Sequence, residues 1–396
     1  MACLSWVAMS VHILHGHWVD ALCDLRSSSV HCVVTSPPYW GLRSYLPDGH
    51  PLKAFELGSE PTLREYVDKV VEGFESVRRV LRDDGTLWLN LGDTYANDSK
   101  WGGATGGKHA AGLHSNTGVG RGKRDSGLKA KDLCGVPWRV AFALRDAGWY
   151  LRCDIIWEKP TAMPEPANDR PAKSHEYLFL LTKSPTYFYD KDAIMEPAST
   201  NTHSRGSRVA PKSDAATDRG VRSNGSFAAA TLGAVYKRNK RSVWTIKAGH
   251  YNGAHYATFP PDLVRPCILA GTSEAGCCPV CGAPYVRQVD STRLLDGAPA
   301  DLPAARNTSK ATPTSGVGIG HGRISTARAT TGWAPSCGCD AGAHVPCVVL
   351  DPFAGTGTVG AEAERLGRNS VLIELNPESI ALAEERTAQR GLFAGR

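Results

Sequence analysis

The chain has 396 residues, 42% of them hydrophobic, and a formal net charge of +6. That length supports one large α/β domain with insertions, or two domains. No apolar run reaches the roughly 20 residues of a membrane span. Twelve cysteines in a chain this long are not the disulfide framework of a short secreted domain. The opening stretch, MACLSWVAMSVHILHGHWVD, lacks the basic start of a secretory signal, so an intracellular, cytoplasmic protein is expected.

Residues 10–35 read as strand, helix, strand: VHIL, DALCDL, VHCVVT. Residues 62–80 carry Leu63, Tyr66, Val67, Val70, Val71, Phe74, Val77 and Val80 at helical spacing, with Thr62 as cap and Glu65 three residues on. Asp84-Gly85 reads as a turn into the strand TLWLNLGD. A second amphipathic helix is expected over 136–148, and YLRCDIIWEK and HEYLFLLTK are two further strands. This alternation predicts a mostly parallel sheet with helices on both faces. Residues 99–131 and 197–247 break the pattern with cationic, low-complexity sequence, seven Lys/Arg against one Asp in the first and ten against two in the second. Residues 291–332 are rich in Ala, Thr, Gly and Pro.

Near the C-terminus CVVL reads as a buried strand, DPFAGTGT as a glycine turn, VGAEAERLG as a helix and SVLIEL as the next strand. Glu374 stands where a ribose-binding acid is expected after such a turn. Asp351 opens the turn, and a carboxylate there would repel a pyrophosphate. A cationic ligand without phosphate suits it better, and S-adenosylmethionine offers a sulfonium, an ammonium and a ribose.

TSPPYW interrupts a core strand with two prolines that cannot donate ladder hydrogen bonds. At a strand's carboxyl end this reads as chemistry. An exocyclic amine on a base is a poor nucleophile because its lone pair is delocalised. Acceptors such as Ser36 Oγ and the Pro37 carbonyl hold its protons and draw the nitrogen toward tetrahedral geometry. Pro37 and Pro38 stiffen the turn, and Tyr39 offers a face for a flipped base.

With both motifs in view, the sequence resembles the DNA amino-methyltransferases acting on cytosine N4 or adenine N6. TSPPYW resembles the catalytic motif and DPFAGTGT the adenosylmethionine motif. FPPDLVRPCI, from Phe259, resembles the segment that closes over the methionine moiety. GTLWLNLGDTY, RCDIIWEKP and RPAKSHEYLFLLTKS resemble intervening segments. The order implies a Rossmann-like α/β fold with circularly permuted motifs. It implies a cofactor set of Thr35, Phe259, Pro260, Asp351, Phe353, Gly355, Thr356, Gly357, Thr358, Glu374 and Asn376. Where many relatives read Gly-Asp before the catalytic strand, this chain has Gly16-His17. The Ser-Pro-Pro-Tyr form favours cytosine N4, with adenine N6 the alternative. The expected divisions are a catalytic half, 1–190; a basic target-recognition region, 191–247; a cofactor-closing segment, 248–275; an insertion, 276–341; and a cofactor half, 342–396.

Cys278-Pro-Val-Cys281 and Cys337-Gly-Cys339 have the spacing of a closed four-thiolate zinc knuckle, in which Cys277 competes with Cys278. The cysteines of Pro266-Cys267 and Pro346-Cys347 read as small packing residues. Lys237, Arg238, Lys240 and Arg241 form the densest basic cluster, suited to the phosphates of double-stranded DNA. Whether the protein dimerises, or has a restriction partner, stays open at this stage. The competing readings are an RNA or protein amide methyltransferase, disfavoured by Ser36 and the late cofactor turn, and a zinc-dependent DNA-binding protein without catalysis.

Overall fold

The structure is a computed structural model that describes residues 10–41, 45–46, 49–96, 126–162, 165, 167–197, 237–248, 260–296 and 323–391. Two compact units divide the chain. The first comprises Met1–Ile194, Arg241–Val286 and Pro335–Arg396, the second Met195–Lys240 and Arg287–Ala334.

In the first unit the chain runs β1 (Val11–His15), α1 (Trp18–Cys23), β2 (Val30–Thr35), α2 (Leu63–Val80), β3 (Leu81–Leu91), α3 (Val136–Asp146), β4 (Tyr150–Glu158) and β5 (His175–Thr182). In the second unit β6 (Glu196–Pro197) pairs with β7 (Lys237–Arg238). The first unit then resumes with β8 (Val243–Thr245) and α4 (Pro261–Gly271). Next come β9 (Tyr285–Asp296) and β10 (Arg323–Pro335), a two-stranded ribbon lying almost wholly in the second unit. The chain returns to the first unit with β11 (Val348–Asp351), α5 (Thr358–Arg365), β12 (Asn369–Glu374) and α6 (Pro377–Gly391).

Eight strands of the first unit form one sheet in the order β1-β12-β11-β2-β3-β5-β4-β8. All neighbouring pairs are parallel except those of β5, which runs against both β3 and β4. The expected mostly parallel sheet is therefore present, and the C-terminal βαβ unit lies between β1 and β2. Among the described residues no helix is long and apolar enough to cross a membrane.

Alternation along the strands sends side chains to both faces, and both faces are apolar. Val33, Leu87, Leu89, Phe179, Leu181 and Leu350 join one core with Trp18, Tyr66 and Phe74. Cys32, Val34, Trp88, Leu178, Leu180, Val349 and Leu372 join the other with Leu263, Val264 and Ile268 of α4. Each such large side chain contributes about 1.5–3 kcal/mol when fully buried. Helix α2 begins as its sequence predicts, the Glu65 amide donating to Thr62 Oγ1 at 3.1 Å. Its Gly73 lets Trp18 approach, since a Cβ there would lie 2.0 Å from the indole.

Two local expectations change. Asp84-Gly85 is no turn: β3 runs through it with a register shift against β2 between Val30 and Cys32. Gly85 makes this fit, because a Cβ would lie 2.9 Å from the His31 carbonyl. The end of helix α3 also falls earlier, at Asp146.

Candidate active site

Parallel register brings the ends of several strands to one edge. His15 lies opposite Glu374, and Thr35 opposite Leu89. Leu350 pairs with Val33, so Asp351 and Thr35 close their strands side by side. Because β5 is antiparallel, its beginning falls at this same edge, with Tyr177 opposite Leu91. Trp157 of β4 pairs with Glu176, which leaves Lys159 just beyond. In an open α/β sheet this carboxyl edge is where ligands bind.

The turn after β11 is built around two carboxylates. Asp351 Oδ1 accepts from Thr35 Oγ1 at 2.7 Å and from the Phe353 amide at 3.0 Å. Asp351 is fully buried, and its Oδ2 has no hydrogen-bond partner. Burial pushes its carboxyl up to about 7, helped by the nearby Glu374 charge and opposed by its two donors. Glu374 accepts from the Gly355 amide at 2.7 Å and the Asn376 amide at 2.8 Å. Burial raises its carboxyl too, against these donors. Gly355 has φ +51 and open space where a Cβ would lie, so its glycine answers to backbone conformation. Gly357 differs: at φ +73 its missing Cβ makes room for Ala383 of α6. The hydroxyls of Thr356 and Thr358 accept from Arg386 at 3.2 and 2.8 Å, so both are engaged with α6. Phe353 packs on Trp18, 4.7 Å between centroids. Pro260 caps α4 with its carbonyl, while Phe259 lies outside the described residues.

The turn after β2 is a closed network. Ser36 Oγ donates to Tyr39 Oη at 3.2 Å. Tyr39 Oη lies 2.9 Å from Glu176 Oε2 and 3.1 Å from Asn90 Oδ1, both acceptors. The Asn90 amide is oriented by donating to the Tyr177 carbonyl at 3.0 Å. Facing two acceptors, the tyrosine proton points away from Ser36, so the serine proton points toward Tyr39. Ser36 Oγ is left with its lone pairs to offer. Glu176 is ion-paired with Lys159, whose ammonium also sits over Trp157, 4.2 Å from the ring centroid. Burial and the Glu176 charge push the Tyr39 phenol well up. Gly92 makes room for the Tyr39 ring: a Cβ there would lie 2.5 Å from its Cε2. The Pro38 carbonyl accepts from Tyr66 Oη at 3.0 Å, and Pro37 is buried.

The structure therefore brings Thr35, Ser36, Tyr39, Asp351, Phe353, Gly355, Glu374 and Asn376 to one edge. Sequence reasoning missed Asn90, Glu176 and Lys159, although all three lie in segments it singled out. It also left Cys277 and Cys278 in competition. Cys278 joins Cys281, Cys337 and Cys339, whereas Cys277 faces His31 and Cys347. Cys267 and Cys347 are fully buried. In the second unit Lys237 and Arg238 form β7, and Arg238 Nε donates to Glu196 at 2.8 Å. Arg241 belongs to the first unit, where its carbonyl accepts from the Trp244 indole at 2.6 Å. His17, in the Gly-His departure, stands at the N-cap of α1 without a side-chain cap bond.

Two such turns at the carboxyl edge of a mostly parallel sheet give the layout of a Rossmann-like methyltransferase fold. The chain belongs to the DNA amino-methyltransferases, with residues 30–278 and 344–385 matching the family model described as DNA methylase. It is 38% identical over 373 residues to the Type II methyltransferase M.XycI of Xanthomonas campestris pv. cyanopsidis, covering 93% of this chain and 85% of that one. It is 35% identical to the Type II methyltransferase M.SmaI of Serratia marcescens, covering 98% and 94%. The fold is also that of the solved PvuII DNA methyltransferase (cytosine-N4-specific), with a TM-score of 0.50 at 16% identity, over 96% of this chain and 88% of that one.

Proposed function

We propose that this DNA methyltransferase moves a methyl group from S-adenosylmethionine to the exocyclic amine of a flipped base in double-stranded DNA, cytosine N4 rather than adenine N6. The observation that carries the reading is the 2.7 Å hydrogen bond from Thr35 to Asp351. It ties the turn of Ser36 to the turn of the buried carboxylate, so amine and methyl donor share one crevice.

The donor set fits the cofactor. Asp351 holds a buried oxygen without a partner, which an ammonium satisfies and a phosphate would not. Glu374, steadied by two backbone amides, still has lone pairs for ribose hydroxyls. Bound there, S-adenosylmethionine supplies a methyl carried on sulfur. The chain's own part is positional. Ser36 Oγ, its proton turned to Tyr39, accepts one amine hydrogen, and the Pro37 carbonyl is suited to accept another. Tyr39, fixed by its hydroxyl and by Gly92, supplies a ring for the base. A neutral serine in place of a carboxylate favours the cytosine amine. The basic cluster at Lys237, Arg238, Lys240 and Arg241 serves phosphate binding in this reading.

Mass spectrometry of nucleosides from DNA treated with enzyme and labelled cofactor tests it. N4-methylcytosine is expected. N6-methyladenine in its place would refute the base assignment and keep the reaction, and no labelled nucleoside from any duplex would refute both.

A further inference from the structure

Four sulfurs converge at the opposite edge of the sheet from the two turns. The Sγ atoms of Cys278, Cys281, Cys337 and Cys339 all lie within 4.8 Å of one another, and all four are free thiols. Zinc–sulfur bonds of about 2.3 Å in a tetrahedron put sulfurs about 3.8 Å apart, which this cluster can meet. Two short segments supply the sulfurs in pairs, Cys337 with Cys339 and Cys278 with Cys281. The CPVCG turn that presents them closes with Gly282 N donating to the Cys278 carbonyl at 2.8 Å, and Gly282 adopts φ +72.

We propose that Cys278, Cys281, Cys337 and Cys339 bind one structural Zn2+, and that this ion clamps the base of the β9–β10 ribbon. Cys281 stands four residues before β9 begins and Cys337 two residues after β10 ends, so one ion joins both strands where they leave the first unit. A two-stranded ribbon is marginal by itself, and closing its base lowers the entropy lost in pairing its two strands. Four protein sulfurs leave no open position, which suits a structural site and not a catalytic one.

The position of the knuckle supports that role. It docks on the amino ends of β2 and β3: Arg82 Nη1 donates to the Cys281 carbonyl at 2.8 Å, and His31 Nε2 to the Gly282 carbonyl at 2.9 Å. His31 and Thr35 are four residues apart on one strand, about 13 Å at strand rise. The ion therefore lies away from the reacting atoms. Cys277 is excluded by its backbone, which bonds Val345 in both directions and turns its side chain to His31 and Cys347. That second group is a poor ligand set, because both nitrogens of His31 are engaged, Nδ1 by the Val348 amide at 3.0 Å.

Elemental analysis of the untagged full-length protein is expected to give about one zinc per chain, as a closed four-thiolate site requires. Cys277→Ala should keep the zinc, and Cys281→Ser with Cys339→Ser should lose it. In wild-type protein exchanged with Co2+, tetrahedral d–d bands and sulfur-to-cobalt charge transfer are expected. Stripping the metal from reduced wild-type protein should speed amide hydrogen exchange over 285–290 and 329–335 by about tenfold or more. Affinity for S-adenosylmethionine should stay within about threefold, since a contact this remote is nearly independent. Metal-free protein, iron in place of zinc, zinc retained by the double serine variant, or unchanged exchange after stripping would each overturn the proposal. Failure of the methyl-transfer reading would instead appear as no cofactor binding with zinc still in place.

Discussion

The turn after β2 and the turn after β11 lie side by side, share one hydrogen bond, and handle their polar groups in opposite ways. In the first, every hydroxyl has a partner: Ser36 to Tyr39, Tyr39 to Asn90 and Glu176, and Glu176 to Lys159. In the second, a fully buried carboxylate keeps one oxygen unpartnered. A satisfied network holds one arrangement and presents neutral lone pairs. An unsatisfied buried acid is costly until a cation meets it. The contrast assigns the first turn to positioning an uncharged amine and the second to capturing a charged cofactor.

The largest expected effect comes from removing the unsatisfied group. Asp351→Ala should weaken S-adenosylmethionine binding by about 100-fold or more, the scale of losing a buried charge partner. Calorimetric titration with the cofactor checks this, and binding within a few-fold of wild type would place the ammonium elsewhere. The first turn should break differently. Glu176→Gln and Tyr39→Phe should each lower single-turnover methylation by about 10- to 100-fold, the worth of an oriented hydrogen bond to a charged group, and leave cofactor affinity unchanged. Together they should cost little more than either alone, because they interrupt one chain of bonds. Additive losses would mean the two residues act separately.

A smaller change at the same turn uses shape alone. Gly92→Ala places a methyl against the Tyr39 ring, so the ring or the strand must shift. Overpacking of this kind costs about 1–3 kcal/mol. A loss of about tenfold in turnover is expected if a fraction of that falls on the Tyr39 position. Thermal melting alongside kinetics separates the two contributions, and full activity with lowered stability would show the ring position to be unimportant.

These predictions draw on different distances along the chain, as did the legibility of the fold. The cap of α2 was readable from Thr62 and Glu65 because the interaction is local. The two turns were readable because each is a contiguous run of unusual residues. Asn90, Glu176 and Lys159 were not, since they lie on or just past three strands that meet only through pairing. The direction of β5 decides that Glu176 starts at the active edge, and no periodicity within HEYLFLLT encodes direction. The choice between Cys277 and Cys278 was likewise made by a pairing with Val345, far along the sequence. Asp84-Gly85 misled in the other direction, a local turn signal overridden by a bulge in the sheet.

The mildest perturbation, a change of pH, sharpens the comparison most cleanly because it acts on the two turns unequally. Burial holds the Asp351 carboxyl near 7 in the free protein, against an ordinary value of 3.8. An ammonium ligand prefers the ionised form, so protons and cofactor compete. Between pH 8 and pH 6 the ionised fraction falls about tenfold, and cofactor affinity should fall by about that factor. Stability should move the other way. For an acid whose folded value is raised, the folded state binds more protons than the unfolded chain between 3.8 and about 7. The contribution of Asp351 to the stability of the free protein therefore grows as pH falls through that window, and it is lost as pH rises above about 7. Asp351→Asn should flatten both trends, read as the difference between variant and wild type in melting and in binding titrations. A wild-type affinity that does not change between pH 6 and pH 8 would mean that the buried carboxylate is already ionised, and that its second oxygen meets a charge before the cofactor arrives.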